Sequence, residues 1–182
     1  MRILLAVLYT SLMLGANAGH ADVAAADAAR VGDMRKLVFA AAPVALPEIG
    51  LVDEAEASRS LGEFKGQWVV LNFWATWCAP CRAEMPTLQA LESAMGDDFS
   101  VVTVATGRNS VEGIDKFFAE AGITDLPRLR DPKSELARSM GVLGLPLTVI
   151  LNPDGQEVAR LIGDAHWDGA DARAVLAALM AD

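Results

Sequence analysis

Trp68-Val69-Val70-Leu71-Asn72-Phe73-Trp74, followed by Ala75-Thr76-Trp77-Cys78-Ala79-Pro80-Cys81-Arg82-Ala83-Glu84-Met85-Pro86, is the stretch on which the fold turns. Its first seven residues are β-prone and, Asn72 apart, apolar without alternation, as in a central strand buried on both faces. A helix starts near Cys78. Pro80 suits the first helical turn, where its missing N–H costs nothing. Leu88, Leu91 and Met95 carry the helix inward, Gly96 closes it, and Pro86 inside it is expected to kink it.

Downstream, Val101–Ala105 reads as a second buried strand, and Ile114, Phe117, Phe118 and Ala121 mark a helix capped by Asn109 or Ser110. Asp131-Pro132 opens a short helix over Lys133–Met140. Leu147–Leu151 and Glu157–Ile162 form a hairpin about the turn Asn152-Pro153-Asp154-Gly155. Asp168 is read as the cap of a last helix with Ala172, Val175, Leu176 and Leu179 as its apolar stripe. The order β-α-β-α-α-β-β-α predicts an α/β domain over residues 45–182, with a mixed central sheet and helices on both faces.

Upstream, residues 45–66 read as short strands and turns among Pro47, Gly50, Gly62 and Gly66. Met34, Leu37, Val38 and Ala41 have helical spacing, so Arg30–Ala42 is predicted as a short amphipathic helix stopped by Pro43. Ala21–Ala29 reads as a loose spacer, making residues 19–44 an N-terminal extension of spacer plus helix. Arg2, the apolar run Ile3–Leu14 and Ala16-Asn17-Ala18 have the form of a signal peptide over residues 1–18, with a second cut possible after Ala21. The run is shorter than the ~20 residues of a spanning helix, and an uncleaved tether is the alternative. A secretory route places the chain in a periplasm or similar space.

A length of 182 residues, 53% of them hydrophobic, suits one domain with a full core. The net charge of −9 repels phosphate backbones and disfavours nucleic-acid partners. Two cysteines exclude both a multi-bridge scaffold and a four-thiolate zinc site. The only histidines are His20 and His166, so no metal is assigned, and Gly107-Arg108-Asn109-Ser110 lacks the composition of a phosphate loop. No cofactor is predicted.

The cysteines sit where a buried strand hands over to a helix N-terminus. Unpaired N–H groups and the positive helix end favour a thiolate there, holding Cys78 below the usual cysteine range. Cys81, one turn deeper, should be shielded and able to resolve a mixed disulfide formed by an exposed Cys78. The bland alternative is an inert staple, but a bridge closing so few residues removes little unfolded-chain entropy. Redox chemistry is the stronger reading.

The segment Leu71–Pro86 resembles the active-site stretch of thioredoxin-fold, extracytoplasmic thiol-disulfide oxidoreductases of the TlpA/ResA/CcmG type, with the TlpA-like branch nearest. Gly144-Leu145-Pro146-Leu147-Thr148-Val149-Ile150 resembles their second signature, and Asn152–Gly155, Gly163 and Trp167 their C-terminal pattern. The resemblance implies a cis Leu145–Pro146 bond that brings backbone groups beside Cys78, where an extended client segment pairs as an added strand. It also bears on Glu84. Thioredoxin proper has a buried aspartate where Asn72 stands, and Asn72 takes no proton. Glu84, on the same helix face as Cys81, is expected to supply the missing acid–base function, against the bland reading of a solvated helix glutamate.

Trp77, Pro80 and Leu145 are read as substrate-contacting. The implied activity is reduction of disulfides in client proteins, in cytochrome c maturation or in assembly of the copper site of cytochrome oxidase. The clients would be apocytochrome c, the oxidase copper-site protein or a copper chaperone, and a membrane electron donor would restore the dithiol. Two alternatives stay open: a copper carrier using Cys78 and Cys81, with His166 as the available third ligand, and a disulfide-introducing oxidant.

Overall fold

The computed structural model describes residues 22–181. The signal-peptide expectation, with both candidate cuts, lies outside the described residues. The elements in chain order are α1 (Val23–Ala28), β1 (Leu37–Ala45), β2 (Leu51–Val52), β3 (Ser58–Arg59), β4 (Trp68–Trp74), α2 (Ala79–Met95), β5 (Phe99–Thr106) and α3 (Val111–Ala121), continuing with β6 (Arg128–Asp131), α4 (Glu135–Ser139), β7 (Leu147–Leu151), β8 (Gln156–Ile162) and α5 (Ala170–Met180). Single turns of 3-10 helix cover Gly32–Lys36 and Leu61–Phe64.

One eight-stranded mixed sheet runs in the order β1-β8-β7-β4-β5-β6-β2-β3. The strand β4, buried at every position, lies parallel to β5 and antiparallel to β7. Alternate β4 residues feed two cores. Val70 and Trp74 join Met85, Leu88, Leu91, Phe118, Trp167 and Leu176 under α1, α2, α3 and α5. Leu71 and Phe73 join Val104, Leu129, Leu136 and Val149 on the other face, under α4. The predicted α/β thioredoxin fold, a mixed sheet flanked by helices, is what forms.

Four local expectations need correction. Residues Val23–Ala28 are a helix rather than a loose spacer, with Asp22 accepting from the Ala25 N–H and Ala26 fully buried. The helix expected over Arg30–Ala42 is a 3-10 turn followed by β1, which pairs with β8 at Leu37↔Leu161 and Val38↔Arg160. Met34 and Leu37 do point inward, but Val38 is 63% exposed, so the apolar spacing coincided with a turn-then-strand alternation. Pro43 is tolerated because it lies on an edge strand, in the register shift between Phe39 and Val44. Finally, Gly169 rather than Asp168 caps α5, and β6 is an additional strand.

Candidate active site

Two strand ends build the site. At its C-terminal end β4 releases the chain into Ala75-Thr76-Trp77, and Cys78 becomes the N-cap of α2. The Cys78 Sγ accepts the Cys81 N–H at 3.3 Å, so the sulfur lies at the positive end of the helix. Cys78 and Cys81 are joined as a disulfide, with Cα atoms 5.3 Å apart. Cys81 is fully buried, whereas Cys78 is 6% exposed, more covered than the exposed nucleophile expected from sequence. In the bonded state its sulfur is turned back onto the helix cap. Beside it Trp77 is 68% exposed, and Pro80 is exposed in the first turn of α2.

β7 starts next to the end of β4, with Phe73 opposite Leu147, which sets Pro146 at the same end of the sheet as the sulfurs. The Leu145–Pro146 bond is cis. The Pro146 carbonyl is already taken by the Gly163 N–H at 3.0 Å. Free pairing groups therefore sit one residue earlier: within the described residues the Leu145 N–H and C=O make no hydrogen bond. Leu143, in the same loop, is 99% exposed.

Beneath the disulfide lies a polar knot. Glu84, one turn beyond Cys81, is 3% exposed, so it is not a solvated helix glutamate. Its Oε1 accepts from Asn72 Nδ2 at 2.8 Å, and its Oε2 accepts from the Ala165 N–H at 3.0 Å and Trp167 Nε1 at 3.3 Å. Asn72 also donates to Thr148 Oγ1 at 2.9 Å, its partner across the β4–β7 pair. Burial pushes the Glu84 carboxyl up to about 7; the donors from Asn72, Ala165 and Trp167 pull the other way, and the charge of Asp164 adds to the rise. A carboxyl raised to about 7, one turn from Cys81, has the tuning of a general acid–base toward that cysteine when the pair is reduced.

Some supporting residues were not foreseen from sequence. Asn109, read as a helix cap, instead accepts both the N–H and the hydroxyl of Thr76 on Oδ1, at 2.8 and 2.9 Å. Its Nδ2 donates to the Thr106 carbonyl at 2.9 Å, bracing the loop before Cys78 against the end of β5. Ser110 is the α3 cap. Trp167, fully buried, also holds the Glu84 carboxyl through its indole N–H. Arg82 lies over the Phe117 ring, 4.9 Å from its centroid. Among the described residues no three His, Cys, Asp or Glu side chains converge as metal ligands.

Residues 43–159 match the AhpC/TSA family. The chain belongs to that family. Thioredoxin-like protein YneN of Bacillus subtilis is 36% identical over 121 residues, covering 66% of this chain and 68% of the relative. The thiol-disulfide oxidoreductase ResA of Geobacillus kaustophilus is 33% identical over 119 residues, covering 64% and 66% of the two chains. Among solved structures, a DsbF homologue from Corynebacterium diphtheriae superposes with a TM-score of 0.64 at 26% identity, over 79% of this chain and 90% of that one. The exposed lipoprotein thioredoxin Etrx1 of Streptococcus pneumoniae gives 0.60 at 27% identity, over 73% and 98%. With the redox pair Cys78–Cys81 at its helix tip, this member of the family is a thiol-disulfide oxidoreductase.

Proposed function

We propose that this oxidoreductase works outside the cytoplasm as a reductant of client-protein disulfides, with Cys78 attacking, Cys81 resolving and Glu84 moving the proton. The Cys78 thiolate attacks one client sulfur, breaking the client S–S bond and releasing one client thiolate, which takes up a proton. The Cys81 thiol then loses its proton to Glu84 and attacks the Cys78 sulfur. This closes the Cys78–Cys81 bond and displaces the second client sulfur as a thiolate, which takes up a proton. Two electrons pass to the client, and a membrane electron donor returns the pair to the dithiol.

The observation that carries this reading is the buried Glu84 carboxyl one turn below Cys81. A negative charge there disfavours thiolates, and an oxidant of the strong kind depends on a stabilised reduced form. The site therefore favours giving electrons away. Leu145, held by its cis bond to Pro146, offers the client backbone its edge, while Trp77 and Pro80 supply apolar contact. The extracytoplasmic location draws on the leader-like N-terminus and on the likeness to an exposed lipoprotein thioredoxin. The clients proposed are proteins of cytochrome c maturation or of copper-site assembly in cytochrome oxidase, whose paired cysteines must be reduced before haem or copper is inserted.

The test is a Cys81→Ser variant expressed in the native compartment. It should accumulate a covalent complex through Cys78, which mass spectrometry identifies as a haem-binding or copper-site cysteine protein. Recovery of no client, or loss of the complex only when a residue other than Cys78 is replaced, would overturn the reading.

A further inference from the structure

The family match begins at residue 43, yet the segment before it reaches the loop that holds Glu84. The 3-10 turn Gly32–Lys36 is anchored by Met34, which is buried in the core, and the chain then enters β1 at the fully buried Leu37. From this anchored turn Lys36 Nζ donates to the Asp164 carbonyl at 2.8 Å and pairs with Asp33 Oδ1 at 2.8 Å. Asp33 Oδ2 accepts the His166 N–H at 3.1 Å. Asp164 C=O and Ala165 N–H belong to one peptide group, and that N–H is the donor to Glu84 Oε2. A single peptide thus stands between the Lys36 ammonium and the Glu84 carboxyl. A cation on its oxygen polarises its N–H and strengthens the bond the N–H makes.

We propose that Asp33 and Lys36 are positioning residues for Glu84: they fix and polarise the Asp164–Ala165 peptide, and through it set the proton affinity of the carboxyl that serves Cys81. This rests on the reading of Glu84 as the proton acceptor in the resolving step. The groups facing Glu84 are consistent with it. Asn72 on β4 and Trp167 in the loop are neutral donors. Cys81 lies one turn away on α2, and Asp164 is the like charge nearby. Lys36 is the cation on this side, and its own ammonium is held above the usual lysine range by Asp33 first, with Asp164 and Glu84 contributing. The rest of the loop is tied independently, since the Trp167 N–H donates to Thr87 Oγ1 and Thr87 Oγ1 donates to the Glu84 carbonyl. Removing the pair at the surface should therefore loosen the two adjacent peptides it holds, Asp164–Ala165 and Ala165–His166, rather than the whole loop.

The experiment follows a single turnover of the reduced full chain with oxidised glutathione, quenched across neutral pH. It separates formation of the Cys78 mixed disulfide from its resolution. Wild type should show resolution rising through an inflection near neutral pH, and Glu84→Gln should lose that inflection. Lys36→Met and Asp33→Asn should move the inflection upward and slow resolution several-fold below it, leaving mixed-disulfide formation unchanged. Lys36→Arg should restore the wild-type profile. If Lys36→Met and Asp33→Asn superimpose on wild type while Glu84→Gln loses the inflection, the positioning role is wrong and the role of Glu84 stands. If Glu84→Gln itself superimposes on wild type, both fail. Equal slowing of both steps would mean general loosening and would also overturn the proposal.

Discussion

Glu84 sits where two demands conflict, because burial favours its neutral form while three donors favour its charged one. Burial wins, and the carboxyl is raised from 4.5 to about 7. The native state then holds a proton that the unfolded chain has already lost as pH rises from 4.5 to 7. Stability should accordingly fall across that window by about 3 kcal/mol, with the full contribution present only below it. Urea unfolding of the oxidised protein should show this fall in wild type relative to Glu84→Gln, which has no proton to lose there. Parallel pH profiles would refute it. Asn109 acts on the other side of the sulfurs. Asn109→Ala frees the Thr76 N–H and hydroxyl and should cost about 1–3 kcal/mol in urea unfolding. Asn109→Asp, which keeps the acceptor for Thr76, should cost less.

Among the elements, β1 separates the two readings of the N-terminal extension most sharply. A helix over Arg30–Ala42 would bury Leu37 and Val38 together, whereas the strand buries only Leu37. Leu37→Ala should therefore destabilise by about 2–5 kcal/mol, and Val38→Ala by no more than about 0.5 kcal/mol, as measured by denaturant titration. The elements legible in the sequence were those whose signal is local and strong. Trp68–Trp74 is apolar on both faces, Pro80 and Gly96 bracket α2, and the Asn152–Gly155 turn fixes the β7–β8 hairpin. The strand β6 was hidden because Arg128-Leu129-Arg130-Asp131 reads as polar. Its Arg130 is buried only because Glu56 and the Asp53 carbonyl, far away in sequence, receive its guanidinium. Asp131 was legible as a helix start, and its carboxylate does accept the Glu135 and Ala137 N–H groups. At the site, the Cys-x-x-Cys pair was plain. The Thr76–Asn109 brace and the Ala165 donor were not, since each joins segments that only the finished sheet brings together.

Across the whole molecule, an acidic chain with a net charge of −9 exposes Trp77 and Leu143 on loops at the dithiol end of the sheet. Apolar side chains exposed beside a reactive pair suit contact with a protein segment more than with a small thiol. Trp77→Ala should thus lower kcat/KM for a protein disulfide several-fold while leaving reduction of oxidised glutathione nearly unchanged. A similar loss on both substrates would place Trp77 in the chemistry instead. The direction of electron flow belongs to this scale as well, because it reflects the field of Glu84 against that of the α2 N-terminus. Equilibrating the Cys78–Cys81 pair against a glutathione redox buffer at neutral pH measures the outcome directly. The expected potential lies near the roughly −270 mV of reducing thioredoxins, whereas one near the roughly −120 mV of the strong oxidant DsbA would contradict the reductant reading.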